Sequence, residues 1–330
     1  MLSDSYRRIH DYLRISVTDR CNLRCVYCVP PQGISLLSHD EVLRNEEFVR
    51  LAGIFISLGV NKVRFTGGEP LLRRGFFDIV SAVHAAHPRV ALCLTTNGTL
   101  LGRFLEDLHR LRVHNINVSL DTMSPSRYRD ITGSDGFHDV LASIDRALDI
   151  GEFRVKINAV LLEDTIQNID EFLEHFKDRN VTIRFIERMP FGARPPEGTV
   201  PAARLIDALR LKGDLLRNEV VDTNVAVMYD FLYHGRYPMR IGVIPPVTEQ
   251  FCGRCNRLRI SSDGMMRTCL QSSGDCDLKA LLRGGADDMV IAEAVRKAVA
   301  SKHEGHLMAC RDDGGCASLA SFNAMSRIGG

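Results

Sequence analysis

Tyr12-Leu-Arg-Ile-Ser-Val-Thr-Asp-Arg-Cys21-Asn-Leu-Arg-Cys25-Val-Tyr-Cys28 is an apolar run that turns directly into a cysteine loop. The run at 12–17 reads as a strand. Three and then two residues separate the thiols, so one loop can wrap a compact cluster. They supply three of the four cysteines that a cubane iron–sulfur cluster needs, and the fourth iron is left to bind a small molecule. A structural zinc takes four protein ligands, and a catalytic one usually has histidine or carboxylate among its three. A disulfide framework fits poorly, because a tight odd trio cannot pair within itself.

Outward from this stretch the pattern repeats. Five further β-branched or apolar runs lie at 62–66, 90–95, 115–120, 154–160 and 181–187. Helical periodicity fills 40–58, 75–86, 137–150 and 166–177. Strand alternating with helix implies parallel βα units. A complete barrel needs eight of them, so six predict an α/β fold built as a partial barrel with an open side. Pattern alone leaves a doubly wound sheet as the alternative. The breaker-rich stretch at 189–201 ends the alternation and divides the chain into a barrel domain, 1–190, and a smaller C-terminal domain, 191–330. In the latter, runs at 257–261 and 265–269 flank Asp263-Gly264, a hairpin signal, and 287–300 reads as a helix. The tail beyond His303 is glycine-rich and ends Ile328-Gly329-Gly330.

Composition narrows the class. Of 330 residues 45% are hydrophobic and 25% charged, ordinary for a globular protein. A net charge of +1 gives no global attraction to nucleic acid or to an anionic membrane. Asp4, Arg7, Arg8, Asp11 and Arg14 interrupt any secretory apolar segment, and no run is long enough to span a membrane. The expected location is the cytoplasm, where ten cysteines are metal ligands or buried thiols rather than bridges. Cys93, Cys276, Cys310 and Cys316 have buried structural thiols as their default reading.

Barrels collect their active sites at the carboxyl ends of the strands. The polar residues here follow that rule. Thr66-Gly67-Gly68-Glu69-Pro70 follows the second strand, and Thr95-Thr96-Asn97-Gly98 closes the third. Ser119-Leu-Asp121 closes the fourth, and Met189 follows the sixth. Glycines 67 and 68 let backbone approach a ligand, although Gly-Gly-Glu-Pro alone is only a turn.

A second cysteine group, Cys252-Gly-Arg-Cys255, is followed after thirteen residues by Cys269. On spacing, a zinc ribbon completed by Cys276, Cys310 or Cys316 and an iron–sulfur site are equally good. Arg254, Arg257 and Arg259 lie among these ligands, with Arg257 and Arg259 on one strand face. Together with Arg14, Arg64 and Lys156 they suit a polyphosphate, held by charge-assisted bonds. The bland alternative is a set of solvated or carboxylate-paired arginines.

The cysteine trio resembles the signature of the radical S-adenosylmethionine enzymes, in which the open iron holds the cofactor's methionine end. By that resemblance Gly67, Gly68 and Glu69 contact the methionine amino group, Tyr27 and Met189 lie near the adenine, and Ser119 near the ribose. Core packing accounts for Met189 almost as well. Arg14 before Cys21, Val63-Arg64-Phe-Thr-Gly-Gly-Glu-Pro, Phe185-Ile-Glu-Arg-Met-Pro, Cys252-Gly-Arg-Cys-Asn-Arg-Leu-Arg and the terminal Ile-Gly-Gly resemble the GTP 3′,8-cyclase family of molybdenum-cofactor biosynthesis along essentially the whole chain. The resemblance implies two [4Fe-4S] clusters, the second on Cys252, Cys255 and Cys269. It implies GTP held by Arg14, Arg64, Thr95, Lys156, Arg257 and Arg259, with Arg14, Gly329 and Gly330 at the catalytic centre. Implied partners are a low-potential electron donor and a downstream cyclic pyranopterin monophosphate synthase, and a homodimer is allowed. Cys276 as a fourth ligand would close the second cluster to guanine; three ligands are expected. The competing readings are a peptide-modifying maturase, an iron–sulfur electron carrier and a structural zinc protein.

Overall fold

The computed structural model describes residues 1–29, 33–189, 200–218, 225–305 and 328. Packing divides the chain into two compact units. The first comprises Met1–Thr96, Glu106–Val113 and Asn256–Gly330, and the second Asn97–Leu105 and His114–Cys255.

The first unit holds β1 (Tyr12–Ser16), β2 (Lys62–Thr66), β3 (Ala91–Thr96), β10 (Arg257–Ile260), β11 (Met265–Arg267) and β12 (Cys276–Asp277), in the order β12-β11-β10-β1-β2-β3. The pairs β10–β1, β1–β2 and β2–β3 are parallel, and β10–β11–β12 is an antiparallel meander. Leu13, Ile15, Val63 and Phe65 are fully buried, each contributing roughly 1.5–3 kcal/mol by leaving water. The helix Asn45–Ser57 buries Phe48, Leu51, Ala52 and Phe55, a three-and-four spacing that makes one apolar stripe. It begins five residues later than its periodicity suggested. Residues 40–43 are drawn away instead: Leu43 N donates to Ser262 O (2.9 Å), and Arg283 holds the carbonyls of Asp40 and Val42.

The second unit holds β4 (Asn115–Ser119), β5 (Arg154–Leu161), β6 (Thr182–Glu187), β7 (Gly213–Arg217), β8 (Val227–Tyr233) and β9 (Tyr237–Ile244), in the order β4-β5-β6-β9-β8-β7. The pairs β4–β5, β5–β6 and β6–β9 are parallel; β7–β8–β9 is antiparallel. Helices Phe137–Ile150 and Ile169–Phe176 cover it. The helix expected at 166–177 is broken at Asn168, whose amide bonds back to Asp164 and competes with the helical ladder.

All six strand–helix alternations read from sequence are present, and the fold is the expected mixed α/β architecture dominated by parallel strands. The hairpin at Asp263-Gly264 also forms, with Gly264 at φ +82°. Sequence periodicity gave no hint that β10 would pair in parallel with β1. No helix among the described residues is long and apolar enough to cross a membrane.

Candidate active site

Strand β1 delivers the chain into the cysteine loop, and buried hydrogen bonds fix that loop at its root. Arg73 Nη1 donates to Val17 O (2.7 Å), and Asp19 Oδ2 accepts from Leu37 N (2.6 Å). Gly68 N donates to Thr18 O and Glu69 N to Arg20 O, both at 2.8 Å. These bonds explain the two glycines. A Cβ on Gly68 would lie 2.3 Å from Arg20 O, and one on Gly67, at φ +155°, 2.6 Å from Thr18 O. Their bareness admits the backbone of the cysteine loop, a role nearer than the approach to a ligand inferred from sequence.

Cys21, Cys25 and Cys28 are half-buried, and none is in a disulfide. Cys28 N and Val29 N both donate to Cys25 O (2.9 Å), a tight turn that keeps two of the thiols on one short arc. A soft, exclusively thiol donor set on a glycine-cradled loop suits an iron–sulfur cluster. Glu69 is fully buried and accepts from Leu71 N (3.1 Å) and Thr96 Oγ1 (2.8 Å). Tyr27 is half-buried on the loop.

The cationic residues of this unit form rows across the sheet. Register places Arg259 beside Arg14, Arg14 beside Arg64, and Arg64 beside Cys93. Side chains at matched positions of neighbouring strands share a face. Arg14, Arg64 and Arg259 are buried at 8%, 4% and 4% exposure. One step down the strands, Arg257, Tyr12 and Lys62 make a second row on the same face. Arg64 Nε donates to the Tyr12 hydroxyl (2.6 Å), and its Nη1 bonds Leu94 O and reaches Thr95 Oγ1 at 3.5 Å. Burial and the like charges of Arg64 and Arg257 push the Arg14 guanidinium down to about 10, against the pull of Tyr12; it remains cationic at neutral pH. Burial acting alone would raise the Tyr12 phenol, but Arg64 and Arg14 outweigh it and bring it to about 8. So dense a set of buried guanidiniums is the electrostatic cast of a polyanion.

Three members of these rows escaped the sequence reading. Tyr12 and Lys62 stand two residues before Arg14 and Arg64, so period-two alternation could have found them. Arg267 sits opposite Arg259, is 4% exposed, and its Nε has no hydrogen-bond partner among the described residues. Arg254, by contrast, is exposed and belongs to the second unit.

Cys269 begins a turn closed by Asp275, whose Oδ2 accepts from Thr268 N, Thr268 Oγ1 (2.8 Å) and Ser272 Oγ (3.1 Å). Cys276 follows on β12, half-buried, with its thiol pushed up by burial and by the carboxylates of Asp277 and Asp275. That environment disfavours a thiolate there. Cys93 is buried on β3; Cys310 and Cys316 lie outside the described residues.

In the second unit, Ser119 ends β4, Lys156 lies mid-β5 in register with Asn117 and Thr182, and Met189 follows β6; all three are half-buried. Cys252 and Cys255 bracket a single 3-10 turn in which Cys255 N donates to Cys252 O (3.1 Å). Glu187, missed from sequence, is 1% exposed and accepts from Ala202 N (2.7 Å), Val247 N and Thr248 N (3.0 Å each) and Thr248 Oγ1 (2.5 Å). It ties the end of β6 to two later segments. Gly329 and Gly330 lie outside the described residues.

Residues 15–176 match the Radical SAM superfamily, and residues 181–308 match Molybdenum Cofactor Synthesis C. A GTP 3′,8-cyclase from Desulforamulus reducens is 37% identical over 332 residues, 99% of this chain and 99% of that one. The chain belongs to the GTP 3′,8-cyclase family of radical S-adenosylmethionine enzymes. A second GTP 3′,8-cyclase, from Streptomyces coelicolor, is 40% identical and aligns over 92% of this chain and 91% of its own. Molybdenum cofactor biosynthesis protein 1 of Dictyostelium discoideum is 36% identical over 93% of this chain, which spans 49% of that longer protein. Streptococcus suis SuiB bound to S-adenosylmethionine superposes with a TM-score of 0.61 at 15% identity, covering 87% of this chain and 68% of SuiB. That likeness concerns the fold alone.

Proposed function

We propose that the chain cyclises GTP to (8S)-3′,8-cyclo-7,8-dihydroguanosine 5′-triphosphate, the first step of molybdenum cofactor biosynthesis. The observation that carries this reading is the buried row Arg259–Arg14–Arg64, which runs across β10, β1 and β2 and is centred on the strand that feeds the cysteine loop. A radical enzyme acting on an uncharged substrate gains nothing from three buried guanidiniums, whereas a triphosphate offsets their desolvation.

Cys21, Cys25 and Cys28 would hold one [4Fe-4S] cluster, and Cys252, Cys255 and Cys269 a second. When bound, the first cluster and S-adenosylmethionine would supply a primary alkyl radical for removing hydrogen from C3′ of the ribose, and joining C3′ to C8 of the base would then be completed by one electron, from the low-potential donor, and one proton. Gly67, Gly68, Glu69, Tyr27, Ser119 and Met189 hold the cofactor. The buried Glu69 carboxylate is the natural acceptor for its ammonium group. Arg14, Arg64, Thr95, Lys156, Arg257 and Arg259 hold the nucleotide. Fixed guanidiniums keep the ribose at one position and restrict the radical to one hydrogen. Arg14, Gly329 and Gly330 form the catalytic group of this reading.

The division into 1–190 and 191–330 separates these two cluster-bearing parts. A low-potential electron donor and a synthase that consumes the cyclised nucleotide are the partners this chemistry requires. The homodimer and the cytoplasmic location belong to the same reading.

The test is anaerobic turnover of reconstituted protein with S-adenosylmethionine, dithionite and either GTP or ATP. 5′-Deoxyadenosine and a cyclised guanine nucleotide, both appearing with GTP alone, are the expected products. Deoxyadenosine without a nucleotide product would retain the radical chemistry and remove the substrate.

A further inference from the structure

Four ionisable side chains outside the proposed site are buried together: Asp4 at 6% exposure, Arg8 at 9%, His10 at 0% and Lys302 at 5%. The first three belong to a small N-terminal hairpin, closed by a Ser3–Ile9 bridge and by His10 N donating to Leu2 O (2.9 Å). Asp4 Oδ1 accepts from the backbone of Tyr6 and Arg8, each at 3.0 Å. Asp4 Oδ2 accepts from Arg8 Nε (2.6 Å) and lies 2.9 Å from His10 Nε2. The other face of the imidazole meets the C-terminal segment: Lys302 Nζ is 3.5 Å from His10 Nδ1 and donates to Arg257 O at 3.2 Å. Arg8 reaches the same segment, donating to His303 O (2.6 Å) and Glu304 O (2.7 Å).

The chemistry fixes the protons. An ammonium has donors and no acceptor, so Nδ1 accepts from Lys302 and Nε2 carries the hydrogen given to Asp4. A neutral imidazole thus bridges a carboxylate and an ammonium, and the ammonium ends on the carbonyl of Arg257. Burying this set costs more than packing apolar residues of the same volume, so firm attachment alone does not explain it.

Its location does. His10 lies two residues before the start of β1, and Arg257 opens β10, paired with Tyr12 in the parallel β1–β10 ladder. Strands so far apart in sequence have no turn to set their register. A slip of one residue would turn Arg257 and Arg259 to the opposite face of the sheet.

We propose that Asp4, His10 and Lys302 are positioning residues that pin the register of β10 against β1 and so aim Arg257 and Arg259 at the nucleotide. This rests on the reading that those arginines bind GTP.

The test is a double-mutant cycle on the reconstituted protein, Lys302→Met with Arg257→Ala, reading KM for GTP alongside amide exchange along β10. Lys302→Met should raise KM by about tenfold in the parent background and by clearly less in the Arg257→Ala background, where Arg259 alone is left to be misaimed, because residues acting through one ladder are not additive. Exchange at β10 should rise. His10→Gln, which can donate to Asp4 and accept from Lys302, should keep KM close to the parental value. An unchanged KM in Lys302→Met, or fully additive effects, would overturn the proposal. Should Lys302→Met not fold, Asp4→Asn, of the same shape, carries the cycle with the same criteria. If Arg257→Ala itself leaves KM untouched, the GTP reading of that residue fails. The pinning is then judged by β10 exchange alone.

Discussion

Gly68 shows how much a single missing methyl decides. A Cβ there would sit 2.3 Å from the carbonyl oxygen of Arg20, a backbone atom that cannot swing aside. Gly68→Ala must therefore push the cysteine loop off its root, and reconstituted protein should lose first-cluster iron together with 5′-deoxyadenosine formation. Iron assay and product chromatography on the same sample check this; full iron would show that the loop tolerates the displacement. Tyr12 carries a different prediction. Its phenol, lowered to about 8 by Arg64 and Arg14 against the effect of burial, is neutral at pH 7 and anionic above pH 8 in the ligand-free protein. The phenolate neutralises the guanidiniums proposed to hold the triphosphate, so kcat/KM for GTP should fall as pH rises through about 8. Tyr12→Phe should move that fall to higher pH. An identical alkaline limb in both proteins would assign it to another group.

At the scale of elements, the cysteine loop owes its form to the two chain segments that flank it in space, β1 and the 66–70 turn. The parts legible in sequence were those with local causes. Strand positions followed from alternation, to within a residue at most ends. The Asp263-Gly264 hairpin followed from turn chemistry, and the helix expected at 287–300 from its pattern; it runs over 288–300 behind an Asp287 cap that accepts from Val290 N (2.9 Å). The start of the helix Asn45–Ser57 was misplaced because the bonds that hold 40–43 out of it come from Ser262 and Arg283, more than two hundred residues away. The N-terminal hairpin contributes acid sensitivity to the first unit. His10 is pushed down to about 4, first by burial and then by Lys302, from an ordinary value of 6.5. A base whose folded pKa lies below its unfolded one favours folding in its neutral form, so its contribution is complete above pH 6.5 and is lost as pH falls toward 4. The window is worth roughly 3 kcal/mol. Stability measured by urea midpoint should drop between pH 6.5 and 4, and His10→Gln should flatten that drop. A parental slope in the variant would place the acid sensitivity elsewhere.

For the whole molecule, the question is how two groups of cysteines far apart in sequence divide the work. The first group was legible because its ligands are contiguous and its glycine cradle follows one strand later. The identity of the second group was not, because spacing fits zinc and iron equally and the arginines beside it acquire meaning only from the β10–β1 register. Iron per chain resolves the division. Two cubane clusters give about eight irons in the reconstituted parent. Cys255→Ala should retain about half, keep cleaving S-adenosylmethionine, and form no cyclised nucleotide, because the radical is still made but the base is no longer held. Cys276→Ser should retain all the iron and the cyclisation. The expectation rests on a second cluster held by three ligands, Cys252, Cys255 and Cys269. Loss of half the iron from Cys276→Ser would mean a fully coordinated second cluster with no iron open to guanine. Undiminished cyclisation by Cys255→Ala would remove that cluster from the reaction altogether, leaving the arginine rows with Thr95 and Lys156 to orient the nucleotide.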